Sequence, residues 1–374
     1  MENKHSTLAP SSASIWGRCP GWVRMNAPLP PEEENPAAAE GTAAHEVGHR
    51  LLLQATGHKV NVLHVGDVAS NGVMVTQEMF DNVKKYVEDV LRVLVMRPQH
   101  YGNEDRVEIP NIHPTCFGSV DFWALCNGEL HIWDYKNGFK FVEVWENWQL
   151  SCYAAGLIHK FNLPPQTKVI FTIVQPRAFT AQGAVRRYTT TVAQLQPKIE
   201  GFRAAAARAL SPNASVSTGP HCYYCRARHT CGPAISLGMN LIELMGEAVP
   251  VDLSPTALGK HLMVVDRAVE HLTSMQTALA EHVKVLMRQG VTVPGWSVKP
   301  AFGRETWAKP IDEVVSLGKL MGKDLSAPGV VTPAKARQMG IDPGLLRAYT
   351  HKPENGLKLV RDTGIDAARA FGGN

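Results

Sequence analysis

The chain has 374 residues, 44% of them hydrophobic, and 38 Lys and Arg against 34 Asp and Glu give it a net charge of +4. That length suits one large domain or two, and so small a positive excess gives only a mild bias toward nucleic acid. No run of about 18 apolar residues is present, which argues against a helical membrane span, and no internal repeat, Gly-rich phosphate loop or helicase motif appears.

Met1 to Pro10 is polar, without the apolar core of a secretory leader, so the expected setting is cytoplasmic. In that compartment clustered cysteines bind metal more often than they form disulfides. Cys19 lies in Trp16-Gly-Arg-Cys-Pro20, and Glu32 to Glu34 with their neighbouring prolines read as a loop. A helix follows over about Pro36 to Gln54. It carries His45-Glu-Val-Gly-His49, which fits the H-E-x-x-H pattern of zinc proteases. The extended form of that pattern needs Gly and His where this chain has Leu52 and Ala55. A protease with a distant glutamate ligand remains as an alternative function.

Val107-Glu108-Ile109 precedes two strands, Phe117–Cys126 and Glu129–Lys136, joined by Asn127-Gly128, the strongest two-residue hairpin signal. If Cys126 lies opposite Glu129, paired numbers sum to 255, which sets Asp121 opposite Asp134 and Ser119 opposite Lys136. Opposed carboxylates destabilise a sheet unless something neutralises them, and a divalent cation does so. Lys136, two residues beyond Asp134, points to the same face. Two hard oxygen ligands and an ammonium at one spot suit metal-assisted phosphodiester hydrolysis.

A helix over about Val144 to His159 sets Gln149 and Tyr153 four residues apart, toward one groove. Lys168 to Gln175 and Ala184 to Thr191 read as further strands. Arg177, Arg186, Arg187, Arg203, Arg208, Arg226 and Arg228 follow in the same stretch and are candidates for a phosphate-binding channel. Cys222, Cys225 and Cys231 form a C-x2-C-x5-C array, whose three thiolates want a fourth ligand. Cys116, Cys126 and Cys152 sit in apolar contexts and read as core residues. Past Cys231 come a short apolar helix, a Pro-containing link to Ser254, and a long amphipathic helix over Leu258 to Gln289 with Leu262, Val265, Ala268 and Leu272 on one stripe. Pro294 to Trp307 reads as a hairpin bearing Lys299 and Arg304, followed by small helices broken at Pro328, Pro333 and Pro343.

Gly118-Ser-Val-Asp121 followed by Trp133-Asp134-Tyr135-Lys136 resembles the core of the PD-(D/E)xK nuclease superfamily, in the D-Y-K variant of its RecB-like branch. Gly41-Thr-Ala-Ala-His45, the Gln149/Tyr153 pair and the split set of four cysteines extend the resemblance over roughly residues 10 to 235, toward AddB-like exonucleases with an iron-sulfur cluster and related phage proteins. The resemblance implies an α/β fold: a restriction-endonuclease-like core in which a mixed central sheet is flanked by helices, with a mainly helical C-terminal region. It implies a nuclease domain over 1–235 and a C-terminal region of unassigned role over 236–374.

It also implies roles. His45, Asp121, Asp134 and the backbone carbonyl of Tyr135 would hold Mg2+ or Mn2+, with Glu108 a further ligand. Lys136 would act with Asp121 and Asp134 in catalysis. Gln149 and Tyr153 would bind or position DNA. Cys19, Cys222, Cys225 and Cys231 would hold a 4Fe-4S cluster, with Zn2+ the alternative occupant of four thiolates. The expected function is a metal-dependent exonuclease acting on linear DNA with single-stranded ends, in phage or prokaryotic recombination and repair, with a recombination or helicase protein as partner. A catalytically silent DNA-binding scaffold is the other alternative.

Overall fold

The computed structural model describes residues 6–29, 35–178, 180–246, 254–302, 305–326 and 331–361. Two short helices, α1 (Ala13–Trp16) and α2 (Trp22–Asn26), lead to α3 (Pro36–Ala55) and α4 (Gln77–Leu94). Three strands follow, β1 (His100–Glu108), β2 (Phe117–Cys126) and β3 (Glu129–Tyr135), then α5 (Trp148–Phe161), β4 (Lys168–Val174), β5 (Val185–Thr191) and α6 (Val192–Ala209). The chain is thus mixed α/β, as its sequence pattern predicts.

The local chemistry explains the boundaries. Asn35 caps α3 by accepting from the Ala38 N–H, with Pro36 at the first helical position, where its missing N–H costs nothing. Thr76 caps α4, Asn147 caps α5, and Thr191 with Gln194 forms a capping box on α6. Asn127 and Gly128 both have positive φ, 52° and 76°, as the tight hairpin turn demands.

The five strands form one sheet in the order β1-β2-β3-β4-β5. It is antiparallel except between β3 and β4, which α5 joins as a parallel crossover. One face packs on α5 and α6 through Val120, Trp123, Leu130, Ile132, Phe171, Leu157 and Phe202. The other packs on α3 and α4 through Phe122, Ala124, Trp133, Val47, Leu52, Met79 and Val83. The helices cover the middle of the sheet, so β2, β3 and β4 read as largely apolar, buried strands, while the edge strands β1 and β5 are polar and partly exposed.

The β2–β3 register pairs Cys126 with Glu129 and continues to Phe122 opposite Trp133, each pair summing to 255 as the turn predicts. The ladder stops there. Asp121 and Asp134 are the next residues, and the expected Asp121–Asp134 and Ser119–Lys136 pairs do not form; Ser119 keeps its partner on the other edge of β2, Arg106 of β1. The reason is local: Asp121 Oδ2 accepts the backbone N–H of Tyr135 at 2.6 Å, so a side chain takes the donor that a continued ladder would have used.

The N-terminal helices are tied to a distant part of the chain. Gly21 N donates to Ser215 O at 2.7 Å, Arg24 to Ala214 O at 3.2 Å, and Ser217 Oγ to Arg18 O at 2.6 Å.

Beyond Cys231 the chain is mainly helical, with α7 (Gly232–Gly246), the 34-residue α8 (Pro255–Arg288), and the short strands β6 (Trp296–Phe302) and β7 (Thr306–Trp307). Then come α9 (Ile311–Leu320), α10 (Pro333–Gln338), α11 (Pro343–Arg347), β8 (Thr350–His351) and β9 (Glu354–Arg361). The expected hairpin over Pro294 to Trp307 does not form. β6 pairs with β9 and β7 with β8, because each strand finds a longer-range partner near the C-terminus. Pro333 and Pro343 start helices where breaks were expected, each at a first-turn position that needs no N–H donor. Arg304, Pro328 and the Pro-containing link before Ser254 lie outside the described residues. Trp307, Val314, Leu317, Leu325, Ile341 and Leu346 make a separate small core here. Among the described residues, no helix is long and apolar enough to cross a membrane.

Candidate metal centre and cysteine pocket

The site forms where the β2–β3 ladder ends. His45, on α3, directs Nδ1 at Asp121 Oδ1, 3.4 Å away, and at Glu104 Oε1 of β1, 3.3 Å away. His45, Glu104 and Asp121 can each offer one ligand atom such that all three lie within 4.8 Å of one another. Glu104 interrupts the β1–β2 ladder: it falls between the pairs Asn103–Phe122 and Asp105–Val120, level with Asp121 but not paired to it. Its φ of +49° is a left-handed conformation in which a non-glycine residue is uncommon.

Asp134 and Lys136 stand beside this group. Asp134 is 2% exposed and accepts from Lys136 Nζ at 2.9 Å. Lys136 Nζ also donates to Gln149 Oε1 at 3.2 Å, and Gln149 Nε2 donates to the Tyr153 hydroxyl at 3.4 Å. The helical pair singled out in the sequence therefore joins Lys136 in one chain of hydrogen bonds.

Charge is concentrated here. Burial pushes the His45 imidazolium toward losing its proton, yet the Asp121 and Glu104 carboxylates outweigh burial and push its pKa up to about 10. Burial raises Asp121, but His45, Lys136 and the Tyr135 N–H outweigh it, and the net shift is downward. Asp134 is raised by burial and by Asp121, against the pull of Lys136. Burial opposes the ammonium of Lys136, and Asp134 and Asp121 more than offset it.

Glu108 lies outside the group. Its carboxylate pairs with Arg106 Nε at 2.8 Å and is 56% exposed. Glu104 occupies the position that Glu108 was expected to fill, and only the register of β1 on β2 reveals it. The H-E-x-x-H residues are divided. Glu46 gives one oxygen to Arg50 and the other to Ser70, whose N–H and hydroxyl donate at 2.8 and 2.6 Å. His49 is held through its backbone carbonyl, which accepts from Asn103 Nδ2.

Most of the arginine run is engaged internally. Arg177 pairs with Glu40 and Glu78, Arg187 with Asp89 and Arg203 with Glu200. Arg186 is buried against Gln175, and Arg228 donates to Cys225 O and Ser274 O.

The four cysteines from the two ends of residues 19–231 line one small pocket with Ile15, Trp22 and Met25. The ties between Arg18, Gly21 and residues 214–217 bring them together. Burial raises the Cys19 thiol, but hydrogen bonds with His221 and Ser217 outweigh it and lower its pKa. His221, bonded to Cys19 and Cys222, is pushed up to about 10. Among the described residues, no three cysteine sulfurs lie mutually within 4.8 Å. Cys116, Cys126 and Cys152 are buried elsewhere in the two sheet cores.

Residues 5–324 match the model of a protein family described as "Protein of unknown function (DUF2800)". The chain belongs to the DUF2800 family. The match takes in the His45–Glu104–Asp121 group, the cysteine pocket and α8, so this DUF2800 chain carries both candidate sites inside the family's bounds. A solved structure titled "Crystal structure of SSO0001" is similar over 62% of this chain and 88% of its own, at 14% identity and a TM-score of 0.30, too low to bear on function.

Proposed function

We propose that this protein is a metal-dependent DNA exonuclease. The observation that carries the reading is a buried carboxylate, Asp134, hydrogen-bonded to Lys136, beside a second group in which a histidine and two carboxylates converge. A structural ion pair needs neither the third carboxylate nor the histidine.

The donor set fits a hard divalent cation. Asp121 and Glu104 impose so strong a demand for positive charge that His45 is held protonated near 10, and a cation at that point would satisfy the same demand. Mg2+ or Mn2+ would be held by His45, Asp121, Asp134 and the Tyr135 carbonyl, with Glu104 in the role first assigned to Glu108; the imidazole suits Mn2+ better. Bound there, the ion would supply Lewis-acid stabilisation to a phosphate oxygen.

The chain's own residues supply the rest. Lys136 keeps its proton on Nζ and presents it where negative charge grows on the phosphate, and Gln149 fixes the ammonium's direction. Asp134 holds Lys136 from the buried side. Tyr135, through its N–H, fixes the Asp121 carboxylate so that one oxygen stays turned to His45.

For Cys19, Cys222, Cys225 and Cys231 the proposed occupant is a 4Fe-4S cluster, with Zn2+ as the alternative, in a structural role that joins the N-terminal helices to residues 222–231. The proposed setting is phage or prokaryotic recombination and repair, alongside a separate unwinding protein.

The test is incubation of anaerobically purified protein with end-labelled linear and circular DNA and Mn2+ or Mg2+. Release of nucleotides or short oligonucleotides from linear DNA alone is expected. Cutting of circles would instead make it an endonuclease.

A further inference from the structure

The segment leaving Lys136 is built in an unusual way. Its backbone is clamped by two buried side chains, Gln175 at 0% and Arg186 at 3% exposure. Gln175 Nε2 donates to Gly138 O at 2.8 Å and to Lys140 O at 2.7 Å, while its Oε1 accepts from Val142 N at 3.0 Å. Arg186 donates to Val142 O at 3.1 Å and to Gln175 Oε1 at 2.8 Å. The even-numbered residues thus turn their backbone groups inward.

The intervening side chains are aromatic and turn outward. Phe139 is 65% exposed and Phe141 43% exposed. Arg177 lies over the Phe139 ring at 5.0 Å and Arg186 over the Phe141 ring at 4.7 Å. Lys140, between them, is drawn the other way, to Glu270 of α8 at 3.1 Å and over the Tyr223 ring at 3.5 Å. An exposed pair of large rings on a backbone pinned by buried polar groups is preorganised, since ordering it at the moment of binding costs little.

We propose that Phe139 and Phe141 form a base-stacking platform for the single-stranded end of a DNA substrate. This rests on the nuclease reading above and names the form of DNA that reaches the centre. Three observations select this occupant. First, Phe139 follows Lys136 by three residues, which keeps their Cα atoms within about 11 Å. Second, residues two apart have Cα atoms at most about 7 Å apart, and from that short span both rings are exposed to solvent. Exposed aromatic faces of this kind take up unstacked bases, which a single strand offers. Third, a guanidinium lies over each ring, Arg177 at Phe139 and Arg186 at Phe141, and Arg186, with the Glu143 carboxylate in electrostatic reach, spends its hydrogen bonds on the neutral oxygens of Gly183, Val142 and Gln175, so cationic charge stands beside both rings where a polyanion would pass.

The experiment is fluorescence anisotropy of a labelled single-stranded oligonucleotide and of the matching blunt duplex, in EDTA so that neither is hydrolysed. The full-length protein is compared with Phe139→Ala/Phe141→Ala, Phe139→Trp/Phe141→Trp and Phe139→Leu/Phe141→Leu. The alanine and leucine variants are expected to bind the single strand at least about tenfold more weakly, with duplex binding and thermal unfolding unchanged, and the tryptophan variant to bind it as the natural protein does. Unchanged single-strand affinity in the alanine variant, equal loss on both DNAs, or full affinity in the leucine variant would overturn the platform and leave the nuclease reading standing. Failure of the natural protein to bind the single strand would likewise overturn the platform, while the nuclease reading stands or falls on the cleavage assay in Mn2+ or Mg2+.

Discussion

Asp121 accepts the backbone N–H of Tyr135 at 2.6 Å, and this one bond ends the β2–β3 ladder at the point where the two hairpin carboxylates begin. The hairpin turn brings Asp121 and Asp134 to the end of the ladder, each one residue beyond its last pair. One Asp121 oxygen is fixed by the backbone while the other faces His45.

Removing ligands should separate Glu104 from Glu108. His45→Ala and Glu104→Gln are each expected to weaken Mn2+ binding by at least about tenfold, measured by titration calorimetry. Glu108→Gln, at an exposed pair with Arg106, is expected to leave it unchanged. Equal losses at Glu104 and Glu108 would mean that the group around His45 is not the metal centre.

Lys136→Met leaves the Asp134 carboxyl buried without its donor. Loss of about 1–3 kcal/mol of stability is expected, read from urea unfolding, and Asp134→Asn in the same chain should restore most of it. A double variant no more stable than Lys136→Met would show that the pair is not coupled.

The cysteine pocket predicts a metal-dependent stability. Cys222→Ser is expected to lower bound iron in anaerobically prepared protein and to make the N-terminal helices more susceptible to protease, because the pocket joins them to residues 222–231. Zinc in place of iron would select the alternative occupant. Absence of both metals from the natural protein would remove the pocket's proposed role.

An acid-sensitive contact lies in the C-terminal region. The Arg337 hydrogen bond, with help from Thr350, holds the Glu305 carboxyl below its ordinary 4.5. A depressed carboxyl contributes stability above its unfolded pKa and loses it as pH falls through the folded value. Amide exchange around α9 to α11 should therefore accelerate as pH drops below about 4.5 beyond the intrinsic change, and Glu305→Gln should abolish that acceleration. Identical profiles for the two proteins would contradict it.

The central hairpin was legible because a two-residue Asn-Gly turn fixes register by itself, and the pairs counted from it hold from Cys126–Glu129 to Phe122–Trp133. The count fails at Asp121–Asp134 and Ser119–Lys136, where the Asp121 carboxylate takes the Tyr135 N–H. Glu104 was not legible, because eight residues separate β1 from β2 and no short turn sets their register. Its left-handed backbone is likewise invisible in sequence. α4 carries the helical spacing of Met79, Val83, Tyr86 and Val90 together with a Thr76 cap, yet no chemical motif marks it. The β6–β9 pairing joins residues more than fifty apart, whereas local pattern favours the nearer hairpin. The clamp of Gln175 and Arg186 on residues 138–142 was also hidden: two polar residues at strand ends look solvated until the fold buries them.

The most direct measurement is single-turnover hydrolysis of end-labelled linear DNA in Mn2+ by the natural protein, Asp134→Ala and Lys136→Ala, each checked for folding by circular dichroism. The expected result is cleavage by the natural protein that falls by at least about a hundredfold in both variants. Cleavage that persists in either folded variant, or no cleavage by the natural protein with its metals intact, would contradict the assignment of this centre to DNA hydrolysis.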